Sequence, residues 1–464
     1  MEPDLAITDT PLSLPDVLRQ PWDKVRALQD RLLRETVELA YRHHPFYSKL
    51  MRQAGLEPRH LQSCDDLVRL PPSSKEDFLA DPDAFRLDPN CVPPEQGTLW
   101  KIVYTTGTTS GRPAPIYVAA QDHFGYMYAF AQRQDLIGLA RTDRIANLFP
   151  LTPFPMGAYA RAPDEAGAIG AAIIFANTGN AQSAYPVNRG LDEAVEAVER
   201  HRATVLWGVA GFVRRVLMRA QEKNADFASV RLAMLTGEAS SVAMRDDLRR
   251  RMRALGCQDS KIVNRYGSTE QGGTMIECQE GAGFHSGVPD QLFHEVIDPA
   301  TGARLPDGAT GMLAFTHLMR RGTLFLRYKV GDVVSLAHDV CPHCGRTSPR
   351  ITSQPVRSGD IVKIKGALVN LQVLKSRLDH IADLDEYQIV VQPSDPSDEF
   401  SMDELLIRIA AAPRFHEALS EKVREEAAAV TLVRPRVAIV DRDEIYNPLV
   451  AAKPRRIVDL RKPR

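Results

Sequence analysis

The sequence predicts a mixed α/β protein with a large amino-terminal domain and a small α+β domain at the carboxyl end. Between about residues 101 and 333, short β-rich runs alternate with helix-like stretches such as 191–202 and 242–255. This alternation is typical of layered sheets and helices. Residues 292–337 lose the rhythm and resemble consecutive strands with glycines at their turns, which predicts a β subdomain at about 292–350.

Local sequence patterns predict the individual helices and strands. Apolar residues at helical spacing between 24 and 50 predict a helical lead-in. Residues 361–464 begin again as a compact unit of strand, helix, two strands, helix and strand, which suits a small α+β sandwich. We therefore expect one domain over 1–359 and a second over 360–464. The β-rich runs of the first domain predict strands at 102–104, 144–149, 171–175, 204–207, 232–235 and 261–264.

Composition excludes several classes of protein. The 464 residues carry 58 basic and 59 acidic side chains, a formal net charge of −1, so no overall field favours nucleic acid or an anionic membrane. Neither a signal peptide nor an apolar run of about 18 residues is present in the sequence. Six cysteines in so long a chain do not form a disulfide framework. We expect a cytoplasmic protein without a nucleic-acid or membrane partner.

The clearest local signal is a loop rich in hydroxyl groups and glycine, directly after a predicted strand. Its glycines let backbone N–H groups approach an anion, and its polar side chains add donors and charge. Only three residues separate Gly107 from Gly111, which does not match the spacing of an ordinary P-loop. A flexible linker is the alternative interpretation. The candidate phosphate-binding residues are Thr105, Thr106, Gly107, Thr108, Thr109, Ser110, Gly111 and Arg112.

Two further motifs follow β-rich runs. Residues 264–270 are Asn-Arg-Tyr-Gly-Ser-Thr-Glu, and residues 328–332 are Tyr-Lys-Val-Gly-Asp. Each is weak alone, because a carboxylate after a strand is more often a cap or a solvated turn. The three motifs together, in this order and with these separations, resemble the adenylate-forming superfamily, whose members activate carboxylic acids with ATP. Within this superfamily, the chain resembles the phenylacetate–CoA ligase branch in segments 44–47, 70–75, 237–238, 277–278 and 344–346.

The resemblance implies an ATP-dependent ligase that turns a small, aromatic carboxylic acid into an acyl adenylate and then transfers the acyl group to coenzyme A. It places Thr269 beside the α-phosphate and assigns Glu270 to Mg²⁺, a hard cation suited to oxygen ligands. Asp332 would accept both ribose hydroxyls, and Tyr266 would pack on the adenine. The other residues that it assigns to ATP are Gly237, Glu238, Gly267 and Arg357.

The resemblance also implies a mobile carboxyl-terminal domain. Lys453 occupies the place of a catalytic lysine that bridges the carboxylate and the α-phosphate during adenylation. Asp360 matches the hinge about which such enzymes rotate the small domain before thiol transfer. Relatives also suggest a homodimer. The apolar side chains that motivate an aromatic acid, and that are equally ordinary as core residues, are Phe149, Phe154, Trp207 and Phe212.

The cysteines predict a second site, of the metal-binding kind. Cys341 and Cys344 have the C-x-x-C spacing of a zinc knuckle, and Cys278 with His285 can complete a tetrahedral Cys₃His set. Four protein ligands leave no open position, so the predicted zinc is structural. Some members of the resembled family bind zinc in this region. His343 is a rival fourth ligand, and a group of free buried thiols is the other alternative.

Two alternatives to the CoA ligase remain open at the level of sequence. The first keeps the adenylation chemistry and passes the acyl group to an amine or to a carrier-protein thiol. The second is a zinc-stapled scaffold of the same fold without catalysis. Metalloprotease, serine hydrolase and dinucleotide dehydrogenase motifs are missing from the sequence.

Overall fold

In the computed structural model the chain forms two compact units. Unit 1 comprises residues 1–143, 154–172 and 263–355, and unit 2 comprises residues 144–153, 173–262 and 356–464. The predicted domain boundary at residue 359 stays a prediction. The residues that the structure describes are 16–105, 113–131, 133–149, 157–176, 190–237, 240–358, 361–364, 367–394, 403–431, 433–447 and 454–461.

Helices and strands alternate along much of the described chain. The helices are α1 Trp22–His43, α2 Pro45–Gln53, α3 Lys75–Ala80, α4 Pro94–Gly97, α5 Ala120–Ala131, α6 Gln134–Ile137, α7 Gly157–Ile169, α8 Leu191–Arg200, α9 Ala210–Glu222, α10 Val242–Ala254, α11 Leu371–Asp379, α12 His416–Thr431 and α13 Arg442–Ile445. The strands are β1 Leu99–Tyr104, β2 Pro115–Ala119, β3 Arg144–Asn147, β4 Ala172–Phe175, β5 Val205–Gly208, β6 Leu232–Thr236, β7 Lys261–Tyr266, β8 Met275–Glu277, β9 Phe284–Ser286, β10 Leu292–Ile297, β11 Thr310–His317, β12 Tyr328–Ala337, β13 Arg350–Ile351, β14 Val356–Arg357, β15 Ile361–Ile364, β16 Ala367–Asn370, β17 Glu386–Pro393, β18 Asp403–Ala410, β19 Arg436–Ile439 and β20 Ile457–Asp459.

The predicted mixed α/β class is confirmed. The predicted strands at 144–149, 204–207 and 232–235 correspond to β3, β5 and β6, and the predicted helix at 191–202 corresponds to α8. Two strands of three residues each, β8 and β9, were not expected from the sequence. So short a strand cannot show the alternating polarity by which strands are detected.

Unit 1 is dominated by antiparallel strands. Hydrogen-bonded neighbours follow the order β10–β11–β12–β13–β9–β8–β7, and every one of these pairs is antiparallel. Strand β10 is buried at all six positions. The strands β1 and β2 form a separate antiparallel pair. The antiparallel pairing includes the strands of the predicted β subdomain and extends back to β7, while the bounds of that subdomain stay a prediction.

The helical lead-in of unit 1 packs one face of α1 into the core. Its buried residues Val25, Leu28, Leu32 and Val37 recur at helical spacing, as the sequence predicted. The helix ends at His43 because the following residue precedes Pro45 and is therefore held in an extended conformation.

Unit 2 contains the parallel α/β layers and the carboxyl-terminal residues. Strand β5 pairs in parallel with β3 on one side and with β6 on the other. Farther along the chain, β19–β18–β17–β20 form a mixed four-stranded sheet. Helices α11 and α12 contribute to a core together with this sheet, so residues 361–461 have the predicted α+β composition.

No described helix has the length and apolar character needed to cross a membrane. The cytoplasmic location and the homodimer stay predictions.

His44 links the pH of the solution to the stability of unit 1. It caps α2 with its ring, because its Nδ1 accepts a hydrogen bond of 3.1 Å from the backbone N–H of Tyr47. Burial lowers the pKa of His44 from 6.5 to about 4. The unfolded chain therefore binds this proton between pH 6.5 and 4 while the folded chain does not, so stability falls as the pH is lowered through this range.

We expect His44 alone to contribute a loss of about 2 kcal/mol in the free energy of unfolding between pH 7 and 5. The variant His44→Asn keeps a side chain that accepts the capping hydrogen bond but does not titrate. Urea unfolding at both pH values should therefore show a shallower pH dependence for His44→Asn than for the native chain. Equal slopes in the two proteins would contradict the prediction.

Candidate active site

The turn that follows β7 carries the predicted catalytic residues Thr269 and Glu270. Strands β7 and β8 pair with Tyr266 opposite Met275, so the residues between them form a connection of eight residues. Within it, the backbone N–H of Gln271 donates to Oγ of Ser268 at 3.1 Å. The Glu270 side chain is 7% exposed. A buried carboxylate is expensive unless it is paired, so its surroundings are informative.

A buried ion pair holds both ends of this turn. The guanidinium of Arg265 donates two hydrogen bonds to Glu165, at 2.7 and 3.0 Å, and a third to Oγ1 of Thr274 at 2.9 Å. Arg265 and Glu165 are both fully buried. The hydroxyl of Tyr126 also donates to Glu165, at 2.9 Å, and burial raises the pKa of this tyrosine. We call Glu165, Arg265 and Thr274 the clasp, because they join the end of β7 to the residue that ends the connection to β8.

Lys75 is a site residue that sequence reasoning missed. Its Nζ lies 3.6 Å from Oε1 of Glu270. Lys75 begins α3 because Ser74 caps that helix, accepting from the backbone N–H of Asp77 and donating its own N–H to the Asp77 carboxylate. The Ser-x-x-Asp spacing could have predicted the helix start. No local pattern indicates that the lysine would face a glutamate almost two hundred residues away along the chain.

The segment before Lys75 is fixed to strand β12. The N–H of Ser73 donates to the carbonyl of Arg327 at 3.1 Å, and the N–H of Lys329 donates to the carbonyl of Ser73 at 2.9 Å. The hydroxyl groups of Ser73 and Tyr47 are 2.8 Å apart in the core. These contacts place Lys75 beside the start of the strand that also carries Asp332.

A bulge in β12 presents Asp332. Met312 pairs with Val333 and Ala314 pairs with Lys329, so β12 has two more residues than β11 between these two pairings. Gly331 lies in the bulge with φ of +88°, a conformation that favours glycine. The hydroxyl of Tyr266 donates to Oδ2 of Asp332 at 2.6 Å. The structure thus brings together the predicted adenine-packing tyrosine and the predicted ribose-binding aspartate.

The base of the predicted phosphate loop is closed by Thr105 and Ala114. Directly beyond the β1–β2 pair, the N–H of Thr105 donates to the carbonyl of Ala114 at 3.0 Å, and the N–H of Ala114 donates to Oγ1 of Thr105 at 3.0 Å. The predicted residues Thr106, Gly107, Thr108, Thr109, Ser110, Gly111 and Arg112 lie outside the described residues, as do Glu238, Phe154, Asp360 and Lys453.

The remaining predicted residues lie in unit 2, apart from Gly267, which opens the turn after β7. Phe149 and Trp207 make an edge-to-face contact with ring centroids 6.1 Å apart, and Nε1 of Trp207 donates to Oγ1 of Thr236 at 3.0 Å. Phe212 lies on α9, and all three aromatic residues are buried. Gly237 follows β6 with φ of +85°, and Arg357 is exposed at the end of β14. Their assignment to ATP and to an acid pocket stays a prediction.

The four predicted metal ligands lie together in unit 1. The ligand atoms of Cys278, His285, Cys341 and Cys344 are all within 4.8 Å of one another. Sγ of Cys344 is 3.5 Å from Nε2 of His285. Separations of this size suit one tetrahedral zinc ion with bonds of about 2.0 Å to nitrogen and 2.3 Å to sulfur. His343, the rival ligand, faces Gln279 instead, with Nδ1 and Nε2 2.9 Å apart.

Local structure explains how this cluster forms. Strands β9 and β13 pair with His285 opposite Arg350, which joins the two ligand-bearing segments. The N–H of Gly345 donates to the carbonyl of Cys341 at 2.9 Å and closes the knuckle. Nδ1 of His285 lies 3.1 Å from Oγ of Ser348, so the other ring nitrogen faces the thiols.

The pKa values of two thiols in the cluster are shifted in opposite directions. Burial raises the pKa of the Cys278 thiol to about 12. Against the effect of burial, hydrogen bonds from Arg346 lower the pKa of the Cys344 thiol. Metal binding to such a group releases protons and is favoured by the thiol that ionises most readily.

Comparison with known proteins decides the family. The profile of a family described as AMP-binding enzyme matches residues 46–319, more than half of the chain. The chain belongs to the AMP-binding enzyme family. This AMP-binding enzyme is 27% identical to the phenylacetate–coenzyme A ligase of Thermus thermophilus, over 97% of this chain and 99% of that protein. It is 26% identical to the phenylacetate–coenzyme A ligase of Escherichia coli, over 75% of this chain and 74% of that protein.

Solved structures share the fold of this AMP-binding enzyme. A 2-hydroxyisobutyryl-CoA ligase in the postadenylation state, in complex with 2-HIB-AMP, has a TM-score of 0.79 at 22% identity, over 96% of this chain and 92% of that one. The same ligase in complex with 2-HIB-AMP and CoA in the thioesterification state has a TM-score of 0.63 at 23% identity, over 96% and 91%. The predicted membership of the phenylacetate–CoA ligase-like branch, and the enzyme class of AMP-forming acid–CoA ligase, are confirmed. ATP and coenzyme A are substrates of this class.

The clasp predicts a specific kinetic defect. In Glu165→Gln the buried Arg265 loses its counter-charge, which we expect to cost about 3–5 kcal/mol in the free energy of unfolding. The turn also loses the contact that joins its ends, so the KM for ATP should rise in pyrophosphate exchange. Urea unfolding and exchange kinetics measure the two effects.

A matched control is Asp290→Asn. Asp290 accepts two hydrogen bonds from Arg133, at 2.9 and 3.0 Å, and this pair is nearly as buried as the clasp. We expect a similar loss of stability without a change in the KM for ATP. An equal KM in both variants would show that the clasp acts on stability alone.

Proposed function

We propose that this enzyme activates an aromatic carboxylic acid with ATP and transfers the acyl group to coenzyme A. The observation that carries the proposal is the arrangement in unit 1, where Glu270 faces Lys75 and Asp332 accepts from Tyr266. The aromatic class is supported by the phenylacetate–coenzyme A ligases among the relatives. Because these relatives are CoA ligases, we favour coenzyme A over an amine or a carrier-protein thiol as the acceptor.

The first half-reaction is a displacement at phosphorus. A carboxylate oxygen of the acid attacks the α-phosphorus of ATP, the bond to the β-phosphate oxygen breaks, and pyrophosphate leaves. Such a step depends on positioning and on stabilising the charge of the phosphates. We assign the phosphates to the loop 105–112 and to Thr269, with Lys75 as a further cation beside them. Asp332 would accept the ribose hydroxyls, and Tyr266 would pack on the adenine.

Glu270 fits the role of a magnesium ligand. Mg²⁺ in nucleotide sites is commonly held by one or two carboxylates together with phosphate oxygens. The buried carboxylate of Glu270 would supply one such ligand. The ion would supply neutralisation of the phosphate charge.

The second half-reaction is acyl transfer. The thiol of coenzyme A attacks the acyl carbon, the bond from that carbon to the adenylate oxygen breaks, and AMP leaves. We assign the hinge between the two half-reactions to Asp360, and the cation needed for adenylation to Lys453.

Acid-dependent exchange of labelled pyrophosphate into ATP tests the proposal. It is measured without coenzyme A, over a panel of aryl, arylacetic and short aliphatic acids. We expect exchange with aromatic acids. Exchange with aliphatic acids alone would contradict the aromatic class, and silence across the panel with folded protein would favour a scaffold without catalysis.

Lys453 should matter to one half-reaction only. In Lys453→Ala we expect pyrophosphate exchange to fall about 100- to 1,000-fold, because a charge that stabilises the transition state is lost. Thioester formation from a supplied acyl adenylate should stay within about two-fold of the native rate, which is under 0.5 kcal/mol. The control is Lys462→Ala, which removes a lysine from the same basic segment. Equal loss of both half-reactions in Lys453→Ala would remove the lysine from its assigned role.

We further propose that the Cys₃His cluster binds one structural zinc ion. The donor set and its separations support zinc, and four protein ligands leave no position for a substrate. The ion would join the segment around β9 to the knuckle at Cys341.

Metal analysis of the purified chain should give about one zinc per chain. We expect Cys341→Ser to lose the zinc and to melt at a lower temperature, because metal binding contributes to folding. The control is Cys64→Ser, which alters a buried thiol of the same unit outside the cluster. Full zinc content in Cys341→Ser would contradict the assignment.

A further inference from the structure

A small cavity within unit 1 is lined partly by the turn that carries Glu270. It holds about 20 Å³ and is lined in part by Asp122, Tyr126, Gln271, Gly272 and Arg320. We call it the Arg320 cavity. Since one water needs about 10–15 Å³, the space suits a single small group and not a whole substrate.

Arg320 is paired with Asp122, but its buried Nη1 has no hydrogen-bond partner among the described residues. Its side chain is 12% exposed, and its Nη1 lies 3.6 Å from Oδ2 of Asp122, beyond hydrogen-bonding distance. Both oxygens of Asp122 already accept backbone N–H groups, from Arg321 at 2.7 Å, Gly322 at 2.9 Å and Ala119 at 3.0 Å. Burial and the nearby charge of Arg161 lower the pKa of Arg320, and the charge of Asp122 opposes this shift.

The fold makes room for this guanidinium. A side chain at position 272 would occupy the place of the Arg320 guanidinium, and Gly272 has φ of +63°. Glycine at this position therefore lets Arg320 lie directly against the turn.

The surroundings add positive charge. Arg161 stacks on the ring of Tyr126 with its Cζ 4.8 Å from the centroid, and it is near enough to help lower the pKa of Arg320. Arg161 has no carboxylate partner among the described residues. The nearby Lys101 is paired with Asp164. The cations near the cavity thus outnumber the carboxylates.

The other polar lining groups are neutral. The N–H of Phe325 donates to Nδ1 of His317, and Nε2 of this ring lies 3.0 Å from the carbonyl of Gln271. Burial lowers the pKa of His317 far below 6.5. Neither His317 nor the amide of Gln271 adds a negative charge to that of Asp122.

We infer that the Arg320 cavity is a subsite for one carboxylate-sized anionic group, carried at the far end of the acid that the enzyme activates. The inference rests on the proposed function for the acid, because one turn presents Glu270 and, at residues 271–273, lines the cavity. A guanidinium with unused donors binds a carboxylate in a bidentate manner and does so strongly when both are shielded from water. The same chemistry could be met by a free small anion, which the experiment distinguishes.

The test compares matched acids in pyrophosphate exchange, for example phenylacetate and its 4-carboxy derivative. The native enzyme should prefer the dicarboxylic member. Arg320→Gln should lower kcat/KM for that member about 10- to 100-fold, the effect of a lost hydrogen bond to a charged group, and should leave the monocarboxylic acid within about two-fold.

Two further variants keep the test decisive. Arg161→Gln should lower the preference for the dicarboxylic acid by a smaller factor. This variant tests the subsite if Arg320→Gln does not fold. The matched control is Arg86→Gln, which removes an arginine stacked on Tyr117 at a similar 4.7 Å and away from the cavity lining. It should preserve the preference.

A second measurement separates the two sources of the anion and is independent of catalysis. The melting temperature of the full chain is recorded with sodium acetate and with the dicarboxylic acid, at constant ionic strength and without ATP. Stabilisation by acetate that disappears in Arg320→Gln, without any preference among acids, would assign the subsite to a free anion. Absence of exchange with every acid would overturn the proposed function, and the melting measurement would still decide the subsite. No preference and no Arg320-dependent stabilisation would leave a cavity for water and overturn the inference.

Discussion

The buried contact between Arg265 and Glu165 is the constraint on which the rest of the site depends. A charged pair with no exposure to water survives only when its hydrogen bonds are satisfied, and here Tyr126 and Thr274 complete the set. Because Arg265 lies near the end of β7 and Thr274 ends the turn, satisfying the charges also fixes the turn. The ion pair that the core requires therefore also fixes the position of Glu270 on the turn.

The sequence predicted what depends on neighbours along the chain. Helix α8 and strands β5 and β6 were found because helix-like stretches and short β-rich runs are local properties of the sequence. The metal ligands were found because a C-x-x-C pair and a second Cys/His pair are recognisable from chemistry alone, and the structure does place their ligand atoms together. The two motifs around Tyr266 and Asp332 were found through their resemblance to a family.

What the sequence could not show depends on contacts between distant segments. Three residues of the site lie in separate parts of the chain, and no sequence pattern predicts which residue each of them contacts: Lys75, Glu165 and Arg320. All three contact the turn after β7 or the strand that leads into it. Lys75 faces Glu270 on the turn, Glu165 binds Arg265 of β7, and Arg320 lies against Gly272. The sequence shows which side chains are charged. Which groups lie beside each charge depends on the three-dimensional packing.

The bulge in β12 separates the part of that strand that holds the sheet together from the part to which we assign ribose binding. In a regular ladder, adding or removing one residue turns every later side chain to the opposite face. Here the ladder resumes on either side of the two additional residues, at Lys329 and at Val333. Residues 330–332 are therefore released from cross-strand pairing with β11, and Asp332 is among them. Changes in ligand recognition at these positions can accumulate without altering the register of the core, which gives this strand an evolutionary freedom that its neighbours lack.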